Sequence, residues 1–304
     1  MFVHIVPTTG SVNLPSLAPW RRRMNALLLV AALMAGCRHS PARDRHEEPP
    51  ARAQLVTFQA ADGATLHGFL YLPDGTAPFP AVLWNHGSEK WPGWQPGLAD
   101  FYTSHGFAFF IPHRRGHGQS SDAGRYIADR QPGWFQFAFN GTSAGKTMIA
   151  LHEEASRDVE AALAWLKARP DIDPQRVVMS GISFGGIQTL LAAEKGMGVR
   201  AFASFAPGAM SWRWVTGLDR RLEQAVRNAQ APVLVIQAHN DFSLSPSQVL
   251  GPVLEREHKG RAMVFPAFGD TEQDGHGGFA RKPEAIAIWG PTVLEFFRTA
   301  LANH

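Results

Sequence analysis

The sequence predicts an α/β fold whose central sheet is mostly parallel and covered by helices on both faces. Short apolar runs bounded by Gly, Pro, Asn and Asp recur along the chain, for example at 80–84 and 232–237, and each is typical of a buried strand. Between them lie amphipathic segments, the clearest at 157–168. Alternation of such strands and helices indicates this architecture. Because ligands bind beyond the carboxyl ends of the strands in these sheets, we expect the functional residues there.

The individual elements follow from the same patterns. We expect the last helix to break at Gly290-Pro291, because proline lacks the N–H that a helix interior needs. The segment 131–149 is assigned neither to a helix nor to a strand. The expected strands are 55–58, 66–72, 80–84, 107–111, 177–180, 201–205, 232–237 and 262–265. The expected helices are 98–105, 157–168, 187–193, 218–229 and 283–300.

The composition indicates one large globular domain with no nucleic-acid partner. The chain has 304 residues, of which 45% are hydrophobic and 18% charged, which is enough for a well-buried core. The formal net charge is +3, but three of the 29 basic residues are Arg21, Arg22 and Arg23, in a segment without acidic residues. The remaining 26 basic residues balance the 26 acidic ones. A nucleic-acid-binding domain would keep a basic patch after loss of this segment.

The N-terminal segment, residues 1–36, has the pattern of a secretory signal peptide. Its three arginines precede an apolar run of about ten residues, which is too short for a membrane span. Leu-Met-Ala-Gly-Cys at 33–37 resembles the lipobox of bacterial lipoproteins, and this resemblance implies lipidation of Cys37 and a lipid anchor in the cell envelope. The alternative is a buried or incidental cysteine. We expect a flexible linker at 37–53 and a catalytic domain at 54–304.

A candidate nucleophile lies in Gly-Ile-Ser-Phe-Gly-Gly at 181–186. The motif follows a β-branched strand and precedes an apolar helix, which is the context of a nucleophile elbow. Such a turn holds Ser183 in a strained conformation with its Oγ exposed above the sheet. Gly181 and Gly185 are needed because side chains there would clash where strand and helix approach closely. An ordinary Gly/Ser turn is the alternative interpretation.

A serine nucleophile needs a base, and the base needs a group that orients it. Asp241 follows the strand at 232–237, and His276 lies in a Gly-rich loop after the last strand. The chain order Ser183, Asp241, His276 is the order of a triad in this kind of fold. We expect the neighbouring glycines to leave the imidazole room to swing between its partners.

The oxyanion hole is expected from two backbone amides. Phe184, next to the nucleophile, supplies one, and Ser88, in the loop after the strand at 80–84, supplies the other. Glu89 beside it is interpreted either as a surface charge or as a polar contact to the substrate. His86 and His117 are expected to organise loops through hydrogen bonds rather than to act in catalysis.

Together these motifs resemble the α/β-hydrolase superfamily, and within it the dienelactone hydrolase-like and prolyl oligopeptidase-like esterases. The resemblance runs from about residue 54 to 300 and is carried by the segments 86–87, 115–118, 181–186, 240–246 and 275–277. It implies Ser183 as nucleophile, Asp241 as acid and His276 as base. Dienelactone hydrolases themselves use a cysteine nucleophile, so the serine here points to ordinary esters as substrates.

The hypothesis from the sequence is a serine hydrolase that cleaves small carboxylic esters without a metal or other cofactor. The alternatives are a peptidase of the prolyl oligopeptidase type and a non-catalytic envelope lipoprotein that uses the fold for binding.

The segment 141–147 resembles a phosphate-binding loop, but Asn140 stands where the first glycine is required. The inserts 121–150 and 208–228 are expected to form any cap over the site. Tryptophans near the site would line an acyl pocket or pack in the core; they are Trp91, Trp94, Trp134, Trp212 and Trp214.

Overall fold

The computed structural model describes residues 50–302, apart from the side chain of Trp134. The predicted signal peptide, Cys37 and most of the predicted linker lie outside these residues. In the described range the strands are β1 (Gln54–Gln59), β2 (Thr65–Tyr71), β3 (Phe79–Asn85), β4 (Ala108–His113), β5 (Ile172–Ile182), β6 (Phe202–Phe205), β7 (Val233–Ala238) and β8 (Gly260–Phe265). The helices are α1 (Pro96–Ser104), α2 (Trp134–Phe139), α3 (Gly141–Lys167), α4 (Phe184–Lys195), α5 (Leu218–Arg227), α6 (Ser245–Arg256), α7 (Phe279–Arg281) and α8 (Pro283–Ala302).

The eight strands form one sheet in the order β1-β2-β4-β3-β5-β6-β7-β8. The pairs β1–β2 and β2–β4 are antiparallel, and every pair from β4–β3 onward is parallel. The fold class predicted from the sequence is therefore confirmed. The carboxyl ends of β3, β5 and β7 lie on one edge of this parallel part, so the loops that follow these strands come together there.

Both faces of the sheet are covered, which explains why its strands read as continuous apolar runs. In β3, Ala81 and Leu83 pack in one buried cluster, while Val82 and Trp84 pack in a second cluster on the opposite face. The same alternation continues in β4, which is buried along its whole length. The two clusters form the core above and below the sheet.

Helix α3 begins 16 residues before the start that the sequence predicted. Asn140 caps its N-terminus, where the Asn140 Oδ1 accepts a hydrogen bond from the Ser143 N–H at 3.3 Å. The segment 141–147 is therefore the first two turns of a helix and not a phosphate-binding loop. A Cβ on Gly145 would collide with the Thr216 carbonyl oxygen, so the two predicted inserts lie against each other.

Two further helices differ from the expectation. Helix α8 runs unbroken through Gly290 and Pro291, so the predicted break is wrong. Gly290 is needed for packing instead, since a Cβ there would lie 2.7 Å from the ring of Phe101. Helix α6 was not predicted, although it buries Leu250 and Leu254 at helical spacing, because its sequence contains the poor helix formers Pro246, Gly251 and Pro252. No helix within residues 50–302 is both long and apolar enough to cross a membrane.

Candidate active site

Ser183 is the single residue between the end of β5 and the start of α4. Its backbone has φ 58° and ψ −114°, a strained conformation for a residue with a side chain. The Ser183 N–H donates to the Phe205 carbonyl at 2.9 Å, and the Ser183 carbonyl accepts from the Ile187 N–H at 3.0 Å. The strand and the helix thus hold the turn from both sides. The half-buried serine lies at the carboxyl edge of the sheet.

The glycines around Ser183 are required by close backbone contacts. A Cβ on Gly185 would collide with the carbonyl oxygens of Asn85 and His86 at the end of β3. A Cβ on Gly181 would lie 2.7 Å from the Thr189 Oγ1. Helix α4 therefore starts directly against the β3 loop, which brings the two expected oxyanion-hole segments together.

Asp241 and His276 are joined by a buried hydrogen bond. The distance between the His276 Nδ1 and the Asp241 Oδ1 is 2.8 Å, and the two residues are 4% and 7% exposed. An ionised carboxylate only accepts hydrogen bonds, so Nδ1 carries the proton and Nε2 is the basic nitrogen. The Nε2 is buried and has no hydrogen-bond partner among the described residues. In particular, it makes no hydrogen bond to Ser183. The imidazole is thus held with its Nδ1 toward Asp241, and its Nε2 is left without a hydrogen bond to any described residue.

His276 lies in a π-helical turn, Asp274–Gly278, and not in an open loop. A Cβ on Gly275 would lie 2.7 Å from the Asn240 backbone, and one on Gly277 would lie 2.8 Å from the Arg281 Nη2. The ring of Phe242 packs edge-on against the imidazole, with 5.3 Å between the ring centres. The expectation that the glycines give the ring freedom is wrong, because they permit tight packing that fixes it.

Sequence reasoning missed the residue that orients Asp241. Gln237, in β7, donates from Nε2 to the Asp241 Oδ2 at 2.7 Å and to the Ser243 carbonyl at 2.8 Å. Its Oε1 accepts from the Ser247 N–H and hydroxyl at 3.0 and 2.7 Å. A buried amide with every hydrogen bond made is rigid. The one signal in the sequence was a polar residue inside an otherwise apolar strand.

The two expected oxyanion-hole residues lie in segments that meet near Ser183. Phe184 is the first residue of α4, where backbone N–H groups are unpaired within the helix and the helix dipole favours negative charge. Ser88 follows β3, and a Cβ on its neighbour Gly87 would lie 3.6 Å from the Ile182 carbonyl oxygen. The loop that carries Ser88 therefore lies beside the elbow.

Glu89 makes an ion pair within the protein. Its Oε1 lies 2.9 Å from the Arg281 Nη1, and the Arg281 Nε donates to the Gly277 carbonyl at 3.1 Å. The Glu89 side chain is 19% exposed. This pair ties the loop after β3 to the turn that carries His276, which neither interpretation of Glu89 from the sequence included.

Three buried histidines surround this loop and are held neutral. Burial, with a smaller contribution from the charge of Arg114, lowers the pKa of His113 to about 4 and that of His117 to about 3. Burial and Arg114 likewise lower the pKa of His86 well below its ordinary value. His86 and His117 bond loop carbonyls, as expected from the sequence. Among residues 50–302 no three His, Cys, Asp or Glu side chains group as a metal site.

Two of the tryptophans near the site belong to the core. Trp212 is buried in the cluster on one face of the sheet, and Trp94 packs against the cluster on the other face. Trp214 is 39% exposed. Core packing therefore explains Trp94 and Trp212.

The strand order, the elbow and the Asp–His pair define an α/β-hydrolase. Residues 40–225 match the family model described as acetyl xylan esterase (AXE1), and the chain belongs to this family. The matched segment contains Ser88 and Ser183 and ends before Asp241 and His276. The chain is 27% identical to the uncharacterized Escherichia coli protein YfhR over 174 residues, which are 52% of this chain and 50% of YfhR. It thus spans about half the length of the curated relatives it matches.

Solved structures show the same fold. The acylaminoacyl peptidase of Pyrococcus horikoshii is similar with a TM-score of 0.60 and 18% identity, over 81% of this chain and 41% of that protein. A dienelactone hydrolase described for Klebsiella pneumoniae gives a TM-score of 0.56 and 15% identity, over 81% and 98% of the two chains. The esterase Est2 of Thermogutta terrifontis gives a TM-score of 0.55 and 14% identity, over 83% of this chain and 96% of that protein.

Proposed function

We propose that the protein is a serine esterase that hydrolyses carboxylic esters through an acyl-enzyme intermediate. The observation that carries the proposal is the buried His276, whose Nδ1 is bonded to Asp241 while its Nε2 has no partner among the described residues. Ser183, held in a strained turn at the same edge of the sheet, is the nucleophile. Membership of the acetyl xylan esterase family supports an ester as the substrate.

The reaction follows from the roles of these groups. The His276 Nε2 takes the Ser183 Oγ proton as the oxygen attacks the ester carbonyl, and Asp241 stabilises the imidazolium. The N–H groups of Phe184 and Ser88 bind the negative oxygen of the tetrahedral intermediate. His276 then gives its proton to the leaving alcohol, and water repeats the sequence on the acyl-enzyme. His276 accepts and returns every proton in these steps, so the mechanism needs no cofactor.

Acetyl esters of sugars are the first substrate class to test, because the family description names acetylated xylan. p-Nitrophenyl acetate reports on the chemistry alone, and acetylated xylo-oligosaccharides report on recognition of the sugar. Faster hydrolysis of longer acyl chains than of acetyl would contradict the preference for acetyl and retain the esterase. Cleavage of N-acetylated peptides in place of esters would favour the peptidase alternative.

The decisive experiment is labelling of the full chain with a fluorophosphonate, followed by intact mass and peptide mapping. We expect one adduct, on Ser183, in the wild type and in Ser211→Ala, a control serine in the neighbouring insert. Ser183→Ala and His276→Ala should keep the circular dichroism of the wild type and lose both labelling and ester hydrolysis. Ester hydrolysis that persists in Ser183→Ala would refute the triad. A folded wild type that is neither labelled nor active would favour the binding-protein alternative.

We also propose that the protein is exported and anchored by a lipid on Cys37. The lipobox-like sequence at 33–37 supports this proposal. Radiolabelled palmitate should enter the wild type expressed in a bacterium and be absent from Cys37→Ser, which should leave the membrane fraction. Equal labelling of the two proteins would contradict the anchor.

A further inference from the structure

The loop that carries Ser88, residues 86–90, is held by hydrogen bonds from a second loop, residues 114–126. Four consecutive carbonyl oxygens of the first loop each accept a hydrogen bond from the second. The pairs are Gly87 with Arg114 Nη2 at 2.5 Å, Ser88 with Tyr126 Oη at 2.7 Å, Glu89 with His117 Nδ1 at 2.8 Å and Lys90 with the Gly118 N–H at 2.8 Å. The backbone of the first loop is therefore fixed along its length, as a preorganised oxyanion hole requires.

The Gly87 carbonyl has two buried donors. Besides Arg114, the His86 Nδ1 lies 2.9 Å from it. The Arg114 backbone N–H donates to the His86 Nε2 at 3.2 Å, so Nε2 is the acceptor and Nδ1 carries the proton. One tautomer of a neutral histidine thus satisfies both contacts. The Arg114 Nη2 also lies 3.1 Å from the His86 Nδ1, but it donates to the Gly87 carbonyl and not to this protonated nitrogen.

The orientation of this carbonyl sets the direction of the Ser88 N–H. In a trans peptide the C=O of one residue and the N–H of the next point in opposite directions. Because the Gly87 oxygen points at Arg114, the Ser88 N–H points away from it. A cationic donor on the carbonyl also polarises the peptide, which strengthens its N–H as a donor.

Arg114 contacts the second oxyanion-hole residue as well. Its guanidinium carbon lies 4.8 Å from the ring centre of Phe184, a cation–π distance. The residue is 3% exposed, and its Nε and Nη1 have no hydrogen-bond partner in the part of the chain that is described. A buried cation with unpaired N–H groups costs stability. This positive charge contacts the peptide before Ser88 and the ring of Phe184, so it would favour a transition state in which negative charge develops at the N–H groups of these two residues.

We propose that Arg114 is a positioning residue of the oxyanion hole, which orients the Ser88 N–H through the Gly87 carbonyl and holds Phe184 through its ring. This inference rests on the proposed function, because it needs the two amides to bind an oxyanion. Arg114 acts through these groups and does not touch the substrate.

The test compares Arg114→Met and Arg114→Lys in the full chain. For p-nitrophenyl acetate we expect kcat of Arg114→Met to fall about 100-fold, as for loss of one oxyanion donor, with KM within about threefold. The affinity for a trifluoromethyl ketone, which forms an oxyanion on Ser183, should fall in parallel with kcat. Lysine keeps a cationic donor, so kcat of Arg114→Lys should be about tenfold higher than kcat of Arg114→Met. The matched control is Arg169→Met, since Arg169 lies 5.0 Å over the Trp165 ring far from the site, and its kcat should equal that of the wild type.

The outcomes separate this inference from the proposed function. A labelled, active wild type together with a folded Arg114→Met of unchanged kcat would overturn the role of Arg114 alone. A wild type that a fluorophosphonate does not label would overturn both proposals. If Arg114→Met does not fold, a crystal structure of the wild-type phosphonate adduct decides. The Ser88 N–H should lie about 3 Å from the phosphonyl oxygen with Gly87 still bonded to Arg114, and a Ser88 N–H turned away would refute the inference.

Discussion

Gln237 donates a hydrogen bond to the Asp241 Oδ2 at 2.7 Å, on the side of the carboxylate opposite His276. The other oxygen, Oδ1, accepts from the His276 Nδ1 and from the Phe242 N–H, both at 2.8 Å. Both carboxylate oxygens are thus occupied by donors from fixed elements. The direction in which Asp241 holds the imidazole is therefore set jointly by Gln237 in β7 and by the Phe242 N–H in the loop that follows it.

Gln237→Met removes this support. Loss of one net hydrogen bond to a carboxylate, about 1.5 kcal/mol, should lower kcat/KM for p-nitrophenyl acetate about tenfold. The variant also leaves the Ser243 carbonyl and the Ser247 N–H without a partner, so urea unfolding should show a loss of about 2 kcal/mol. Gln224→Met, on the exposed face of α5, is the control and should match the wild type. Wild-type activity in a folded Gln237→Met would show that Asp241 does not need this bond.

Gly185→Ala tests the close approach of α4 to the loop after β3. The new Cβ would collide with the Asn85 and His86 carbonyl oxygens, which are backbone atoms and cannot move aside cheaply. We expect a loss of about 3 kcal/mol or more in urea unfolding, together with loss of fluorophosphonate labelling.

Gly133→Ala is the matched control for this substitution, because a Cβ there has open space and φ is −66°. Its stability should stay within about 0.5 kcal/mol of the wild type. A Gly185→Ala protein as stable and reactive as Gly133→Ala would contradict the geometry of the elbow.

The sequence predicted those features that depend on neighbouring residues. The glycines around Ser183 and the apolar strands are local patterns, so the elbow and the fold class were predictable. The Glu89–Arg281 pair joins residues 192 positions apart, and no local pattern signals it. The start of α3 was missed for a related reason, since its first turns are polar and their packing against Thr216 is a tertiary contact. Gln237 and Arg114 also act through contacts that only the folded chain creates.

Asp158→Ala removes the buried partner of Arg115, a residue of the loop that supports the segment carrying Ser88. The carboxylate is 1% exposed and accepts from the Arg115 N–H at 2.9 Å and from Nη2 at 2.7 Å. Breaking this pair leaves the Arg115 N–H unpaired and the half-buried guanidinium with only the exposed Asp62 as an ionic partner, so unfolding in urea should show a loss of about 3 kcal/mol.

Asp62→Ala provides the comparison, because Asp62 binds the same guanidinium at 2.7 Å but is 56% exposed. Water replaces an exposed partner readily, so its unfolding midpoint should shift much less than that of Asp158→Ala. Equal shifts in the two variants would show that burial does not decide the strength of this pair.

His152 makes stability depend on pH in a direction that the structure defines. The imidazole lies in α3 with its ring centre 4.2 Å from that of Phe184, and burial lowers its pKa to about 3, with a further contribution from the charge of Arg114. In the unfolded chain the pKa is the ordinary 6.5. Between these two values the unfolded state binds the proton and the folded state does not, so stability is fully present above pH 6.5 and falls as the pH decreases.

His152→Leu should remove this dependence. From pH 7 to pH 5 the free energy of unfolding in urea should fall by about 2 kcal/mol less in the variant than in the wild type. His113 and His117 are still present and act in the same direction, so the variant keeps part of the slope. Between pH 7 and 8, above both pKa values of His152, the two proteins should respond to pH alike, which serves as the internal control. Identical losses between pH 7 and 5 would mean that the folded protein protonates His152 as readily as the unfolded chain does, and the imidazole beside Phe184 and Arg114 would then be accessible to water.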